Sequence, residues 1–170
     1  MSASIDLTAL AQEYERRRPV FERLTVALKR AMRSCLLDAG IAPTISRRVK
    51  AYPSLARKAI ENGWPDAMDR SPDLAGVRII VAFARSKDAI VEALGRAFVL
   101  SADDDKVAGY GVTEFRYLGR HMQIAFRPGD EPAPDLAGVE AELQLHTRAE
   151  SAWADASHDL IYKAALELPR

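Results

Sequence analysis

Arg48, Lys50, Ser54 and Lys58 are spaced so that each pair shares a face, two residues apart on a strand for the first pair and four apart on a helix for the second. Together they could line one cradle for a polyphosphate, although a solvated basic face carries the same signature. Asp73, Gly76 and Arg78 lie in the run Asp-Leu-Ala-Gly-Val-Arg at the entry to an apolar strand. A carboxylate at a strand end, followed by an arginine projecting from the sheet, could take a metal and a phosphate together; a loop aspartate before a snorkelling arginine looks alike. Glu142 and Gln144 share the polar face of a strictly alternating segment. There they could ligate a divalent ion or accept the proton of an attacking hydroxyl, or the face could be open to water. Phosphoryl transfer unites these demands, because cations hold the polyphosphate while carboxylates hold the magnesium that neutralises it. Tyr117, Gly119 and His121 would share one face of a continuous strand, and Tyr117 could stack on a base or serve as packing. His158-Asp159 has the look of a metal-binding dipeptide, but with only His121, His146 and His158 in the chain a histidine-rich metal cage is poorly supported.

The elements that must position these groups follow from hydrophobic periodicity. From about Asp6 to Asp38, Leu7, Leu10, Tyr14, Phe21, Leu24, Leu28, Met32 and Leu36 recur at helical spacing, with Gly40 and Pro43 as the stop and Pro19 expected to kink or break the helix. Ile45 to Ala51 reads as a strand and Pro53 to Ile60 as a short helix. Leu74 to Phe83 is the clearest buried strand, with Val77, Ile79, Val81 and Phe83 on one face. Ser86 is placed to cap a helix to about Phe98, and Asp103 to Asp105 open a loop. Strands are predicted over Gly111 to Leu118, His121 to Arg127 and Gly138 to Thr147, then a helix from Arg148 to about Leu168. This order predicts an α+β (mixed α/β) fold, a five-stranded mixed sheet flanked by helices. Residues 1–170 are expected to be one domain, with an N-terminal helical segment over 1–40 and a core over 44–168.

Composition agrees. The chain has 170 residues, 48% apolar and 28% charged, which suits one globular domain. Twenty-four basic residues balance twenty-four acidic ones, which argues against a protein that coats nucleic acid through a bulk positive field. The balance hides segregation: Arg47, Arg48, Lys50, Arg57 and Lys58 lie together, and so do Asp130, Glu131, Asp135, Glu140 and Glu142. The fold is expected to bring the two stretches together. No apolar run approaches the ~20 residues that cross a bilayer, and the first residues lack the look of a secretory signal. A soluble protein acting in the cytoplasm, with no membrane partner, is expected. The single cysteine, Cys35, reads as a buried, inert thiol.

In order along the chain, the motifs are Arg48-x-Lys50-x-x-x-Ser54-x-x-x-Lys58, Asp73-Leu-Ala-Gly76-Val-Arg78, Glu142-Leu-Gln144-Leu-His-Thr147, Ala152-Trp153-Ala154 and His158-x-x-x-Tyr162-Lys163. In this order and spacing the chain resembles the RelA/SpoT-type alarmone synthetase domain, over about Arg47 to Lys163. The resemblance implies a nucleotidyltransferase-like synthetase fold and an Mg²⁺-dependent pyrophosphokinase. The family transfers the β,γ-pyrophosphate of ATP to the ribose 3′-hydroxyl of GDP or GTP. It implies that Arg48, Lys50, Ser54, Lys58 and Arg78 surround ATP, and that Asp73 and Glu142 hold Mg²⁺. Glu142 would also activate the 3′-hydroxyl, with Gln144 beside it. Tyr117, His121 and His146 would meet the acceptor nucleotide. Here the chain departs from the family pattern: Arg116 replaces a glycine, Gly119 a serine, and His146 the arginine before Thr147. Ending seven residues after Lys163, it is expected to be a bare synthetase domain or a piece of a longer protein. That form resembles toxic family members, so an adenosine acceptor giving (p)ppApp, a tRNA 3′ end and a neutralising partner protein are all within its reach. A catalytically silent nucleotide-binding module is the alternative of another class. For tRNA, Arg16, Arg17, Arg18, Arg116, Arg120 and Arg127 could supply a basic strip, or a solvated surface.

Overall fold

The computed structural model describes residues 5–105 and 119–153. Helix α1 (Leu7–Asp38) is started by Asp6, whose carboxylate accepts from the backbone N–H groups of Thr8 at 2.9 Å and Ala9 at 3.0 Å. It runs unbroken through Pro19, contrary to the expected break. One lost backbone bond is outweighed because Tyr14, Phe21, Leu24 and Leu28 bury the stripe on both sides of it. Gly40, at φ +74°, closes the helix. Then follow β1 (Thr44–Val49), α2 (Tyr52–Asn62), α3 (Ala67–Arg70), β2 (Ala75–Val81), α4 (Ser86–Ala97), β3 (Phe98–Asp105), β4 (Arg120–Phe126), a 3₁₀ turn (Pro134–Leu136) and β5 (Ala141–Thr147). The chain is helical again from residue 148.

The five strands form one mixed sheet in the order β1-β2-β5-β4-β3; a five-stranded mixed sheet is what the sequence predicts, but β3 is a strand it does not. Only β2 and β5 run parallel; the other neighbours are antiparallel. One face carries Val77, Ile79, Leu143, Leu145, Met122 and Ile124, buried with Leu24, Leu28, Met32 and Leu36 of α1 and Ile90 and Leu94 of α4. The opposite face presents Arg48, Gly76, Arg78, Glu142, Gln144 and His121, in register across four strands.

Three local expectations are corrected. The acidic run ending at Asp105 lies in β3, paired with β4 through a bulge between Ser101 and Asp104, where Ala102 takes φ +50°. Backbone pairing, available to any side chain, overrides the low strand propensity of aspartate. Strand β2 ends at Val81, and Phe83 sits exposed in the following turn under the Arg85 guanidinium, 5.0 Å from the ring centroid. Ser86 begins α4 without capping it through its side chain. The strand expected over Gly111 to Leu118 and most of the final helix lie outside the described residues.

Candidate active site

Asp73 stands just before β2 and is the hub of the basic cradle. Its carboxylate accepts from Lys50 Nζ at 2.6 Å, Lys58 Nζ at 3.2 Å and Ser71 Oγ at 3.0 Å. Lys50 follows β1, with its backbone N–H bonded to the Leu74 carbonyl. The Tyr14 hydroxyl of α1 donates to the Lys50 carbonyl at 2.7 Å, so the long helix pins the end of β1. Lys58, on α2, also lies over the Trp64 ring. Burial would push the Asp73 carboxyl up. The hydrogen bond and charge of Lys50, with Lys58 and Ser71, outweigh that and hold its pKa at about 2.

Across the β2–β5 register, Gly76 lies opposite Glu142 and Arg78 opposite Gln144. Gln144 links the two charges: its Oε1 accepts from Arg78 Nε at 3.0 Å, and its Nε2 donates to Glu142 at 2.7 Å. His121 Nδ1, on β4, lies 3.2 Å from the other Glu142 oxygen. Burial raises the Glu142 pKa, but the bond and charge of His121, with Gln144, bring it below the ordinary glutamate value, while the charge of Asp73 opposes them. Glu142 is therefore ionised at neutral pH. Arg48 crosses Gly76, where an added Cβ would sit 3.4 Å from its Cγ. Arg48 thus runs over Gly76, the residue registered opposite Glu142.

Of the expected site residues, Arg48, Lys50, Lys58, Asp73, Arg78, Glu142, Gln144 and His121 share this face. Ser54 is half-buried in the first turn of α2. His146 is fully enclosed rather than lining an open site. Burial, then the charges of Arg78 and His121, lower its pKa to about 4, so it is neutral and no substitute for a guanidinium. Tyr117 lies outside the described residues. The expected meeting of the two charged stretches is only partly realised. Arg47 reaches Thr25 of α1, Arg57 pairs with Glu61 on its own helix, and Asp135 pairs with Arg23. Only Glu142 of the acidic set joins the cradle, because it alone lies on a strand, while Asp130, Glu131, Asp135 and Glu140 lie in the connection between β4 and β5. Of the arginines suggested as a basic strip, Arg16 bonds Glu13, Arg17 Asp69, Arg18 Glu22, Arg120 Asp88, and Arg127 the Gly95 carbonyl.

Some residues were not expected. Ser71 steadies Asp73. At the end of β5, the Thr147 hydroxyl accepts from Glu150 N–H at 3.1 Å and the Glu150 carboxylate accepts from Thr147 N–H at 2.7 Å. This is a capping box, and its Thr-x-x-Glu spacing is legible in the sequence. Glu150 also takes Lys87 Nζ, with both oxygens at 2.8 Å.

Over residues 47–167 the sequence matches the family described as the region found in RelA / SpoT proteins. The chain belongs to the RelA/SpoT family. A search of curated protein sequences finds no match. Among solved structures, the fold is similar to small alarmone synthetase 2 from Bacillus subtilis, with TM-score 0.76 and 23% identity over 93% of this chain and 85% of that one. It is similar to small alarmone synthetase 1 from B. subtilis bound to its product pppGpp, with TM-score 0.74 and 22% identity over 93% and 84%. It also matches that synthetase bound to AMPCPP, with TM-score 0.67 and 23% identity over 94% and 83%. These likenesses establish the fold.

For the divalent metal that the RelA/SpoT resemblance implies, the donor chemistry fits. Asp73 and Glu142 are hard oxygen donors, close enough for the charge of one to raise the pKa of the other. A cation between them would relieve that repulsion. Among the described residues no group of three or more His, Cys, Asp or Glu converges. Two carboxylates completed by water and phosphate suit Mg²⁺, which seldom needs an all-protein cage.

Proposed function

We propose that this RelA/SpoT-family chain is an Mg²⁺-dependent pyrophosphokinase that moves the β,γ-pyrophosphate of ATP to the ribose 3′-hydroxyl of a purine nucleotide. The observation that carries the reading is one sheet face that joins Lys50, Lys58 and Asp73 to Arg48, Arg78, Gln144 and Glu142. Residues 44–168 are its catalytic core, buttressed by the helical segment over 1–40.

Arg48, Lys50, Ser54, Lys58 and Arg78 bind the polyphosphate of ATP. The first turn of α2 has no side-chain cap, so its backbone dipole adds to the positive field there. Asp73 and Glu142 are the residues that would hold Mg²⁺, which supplies charge neutralisation on the transferred group. Glu142, ionised and oriented by His121 and Gln144, accepts the proton of the 3′-hydroxyl. The 3′-oxygen bonds to the β-phosphorus, the bond from that phosphorus to the α–β bridging oxygen breaks, and AMP leaves. Such a transfer depends on positioning and electrostatics more than on covalent chemistry. A catalytically silent nucleotide-binding module is the poorer reading, since both carboxylates are present and engaged.

On this reading Tyr117 and His121 serve the acceptor nucleotide, as the family resemblance implies. The acceptor is a guanine nucleotide giving (p)ppGpp, or, in a toxin, an adenine nucleotide giving (p)ppApp, with a neutralising protein partner then required. A tRNA 3′ end is the remaining acceptor, though five of the six arginines suggested for it are held by acids or backbone. The protein would act in the cytoplasm. Among the described residues no helix is long and apolar enough to cross a membrane.

The test is incubation with ATP and Mg²⁺ plus GDP, GTP, AMP, ADP or deacylated tRNA in parallel, following AMP release and the product. No product with any acceptor refutes the enzyme. Undiminished turnover in Asp73→Asn and Glu142→Gln refutes the carboxylate assignment.

A further inference from the structure

We propose that His146 is a positioning residue that sets His121 against Glu142, and that residue 119 is glycine because the His146 ring fills the place of its side chain. The inference rests on the reading that Glu142 serves the acceptor hydroxyl. His146 has no exposed surface, so it does not touch an acceptor itself. It meets the site through its neighbour: the His121 and His146 rings lie edge to face with centroids 5.9 Å apart. His121 in turn places Nδ1 3.2 Å from Glu142 Oε1. A shift of the inner ring therefore reaches the carboxylate through one intermediate.

Gly119 immediately precedes β4 and shows how tightly that ring is seated. A Cβ at 119 would lie 2.6 Å from His146 Cε1, 2.9 Å from Nε2 and 3.0 Å from Nδ1. Two of these contacts are closer than 3.0 Å, so the ring or the backbone at 119 must shift to admit a methyl group. On its other flank the His146 position is registered with Ile80 of β2. Ile80 and Gly119 thus flank the His146 position on the two sides of β5, and the ring meets His121 edge to face. The two departures from the family pattern at 119 and 146 are thus one steric unit.

The experiment is a double-mutant cycle with Gly119→Ala, His146→Ala and the double variant. It is read by kcat, by the KM values for ATP and acceptor, and by the imidazole NMR signals of His121, assigned with His121→Gln. Gly119→Ala is expected to lower kcat about tenfold or more with the KM for ATP unchanged, since small misplacements near reacting atoms suffice. In the His146→Ala background the same methyl should cost less than about twofold, because the ring it strikes is gone. That background also keeps the test readable if Gly119→Ala alone unfolds. His121 signals should move in both single variants. The proposal is overturned by an equal cost of Gly119→Ala in both backgrounds. It is likewise overturned if His146→Ala raises only the KM for the acceptor, or if the His121 signals stay in place. The NMR readout needs no turnover, so a wild type that makes no product refutes the proposed function while His121 still decides the pair.

Discussion

Replacing His146 by phenylalanine should flatten the acid side of the stability profile. In the native protein burial, followed by the positive charges of Arg78 and His121, lowers the His146 pKa from 6.5 to about 4. The unfolded chain takes up this proton near 6.5 and the native chain only near 4, so acidification below 6.5 favours unfolding. At 1.36 kcal/mol per pKa unit, wild type should lose about 2 kcal/mol between pH 7 and pH 5 from this group alone, and about 3 kcal/mol by pH 4. Against a typical domain stability of about 5–15 kcal/mol the loss is large. Phenylalanine keeps a ring over Gly119 but cannot titrate, so His146→Phe should lack this slope whatever its stability at pH 7. Urea unfolding of both proteins at pH 7, 6 and 5 measures it. Parallel profiles for the two would refute the buried, neutral imidazole.

Asp73→Asn should act in a lower window. The carboxyl has a native pKa of about 2 against an ordinary 3.8. It therefore contributes about 2 kcal/mol that is present above pH 4 and lost as the pH falls toward 2; urea unfolding at pH 7 and pH 3 should show the variant's deficit shrink by about half. Gln144→Leu removes the bridge between Arg78 and Glu142 with little change in shape. Steady-state kinetics should show kcat/KM reduced about tenfold to a hundredfold with the fold intact by circular dichroism, as expected for lost positioning. Thr147→Ala breaks the capping box after β5 and should cost about 1 kcal/mol in the urea midpoint with an unchanged slope.

Strands β2 and β5 were legible because one has apolar residues at every second position around a single arginine, and the other alternates strictly. The same alternation put Arg48 with Lys50 on one face, and Glu142 with Gln144 on another. It left open whether that face is wet. Gln144 and His146 are buried, and they meet Arg78 of β2, His121 of β4 and Gly119 just before β4, all distant in sequence. Charge runs misled for a related reason. Arg47 and Arg48 are neighbours in sequence, yet one reaches α1 and the other lies across Gly76. Pro19 within α1 and aspartates within β3 are cases where packing and pairing override local propensity. The Lys87–Glu150 pair joins α4 to the helix after β5, and no local pattern announces a partner 63 residues away.

The order β1-β2-β5-β4-β3 places the last described strand at the centre of the sheet. During synthesis β1 and β2 can pair, and so can β3 and β4, but no strand joins the two pairs until β5 emerges. Until then β2 and β4 each present an unpaired edge, the kind of surface on which chains associate wrongly. Glu142 arrives with β5, opposite Gly76, so the strand that completes the sheet also supplies the proposed base. A nascent chain, or one truncated before Ala141, would carry the basic cradle and Asp73 yet have no means of transferring anything. Assembly order would thus keep such a chemistry silent until nearly the whole domain has been made, while leaving truncated products prone to aggregate.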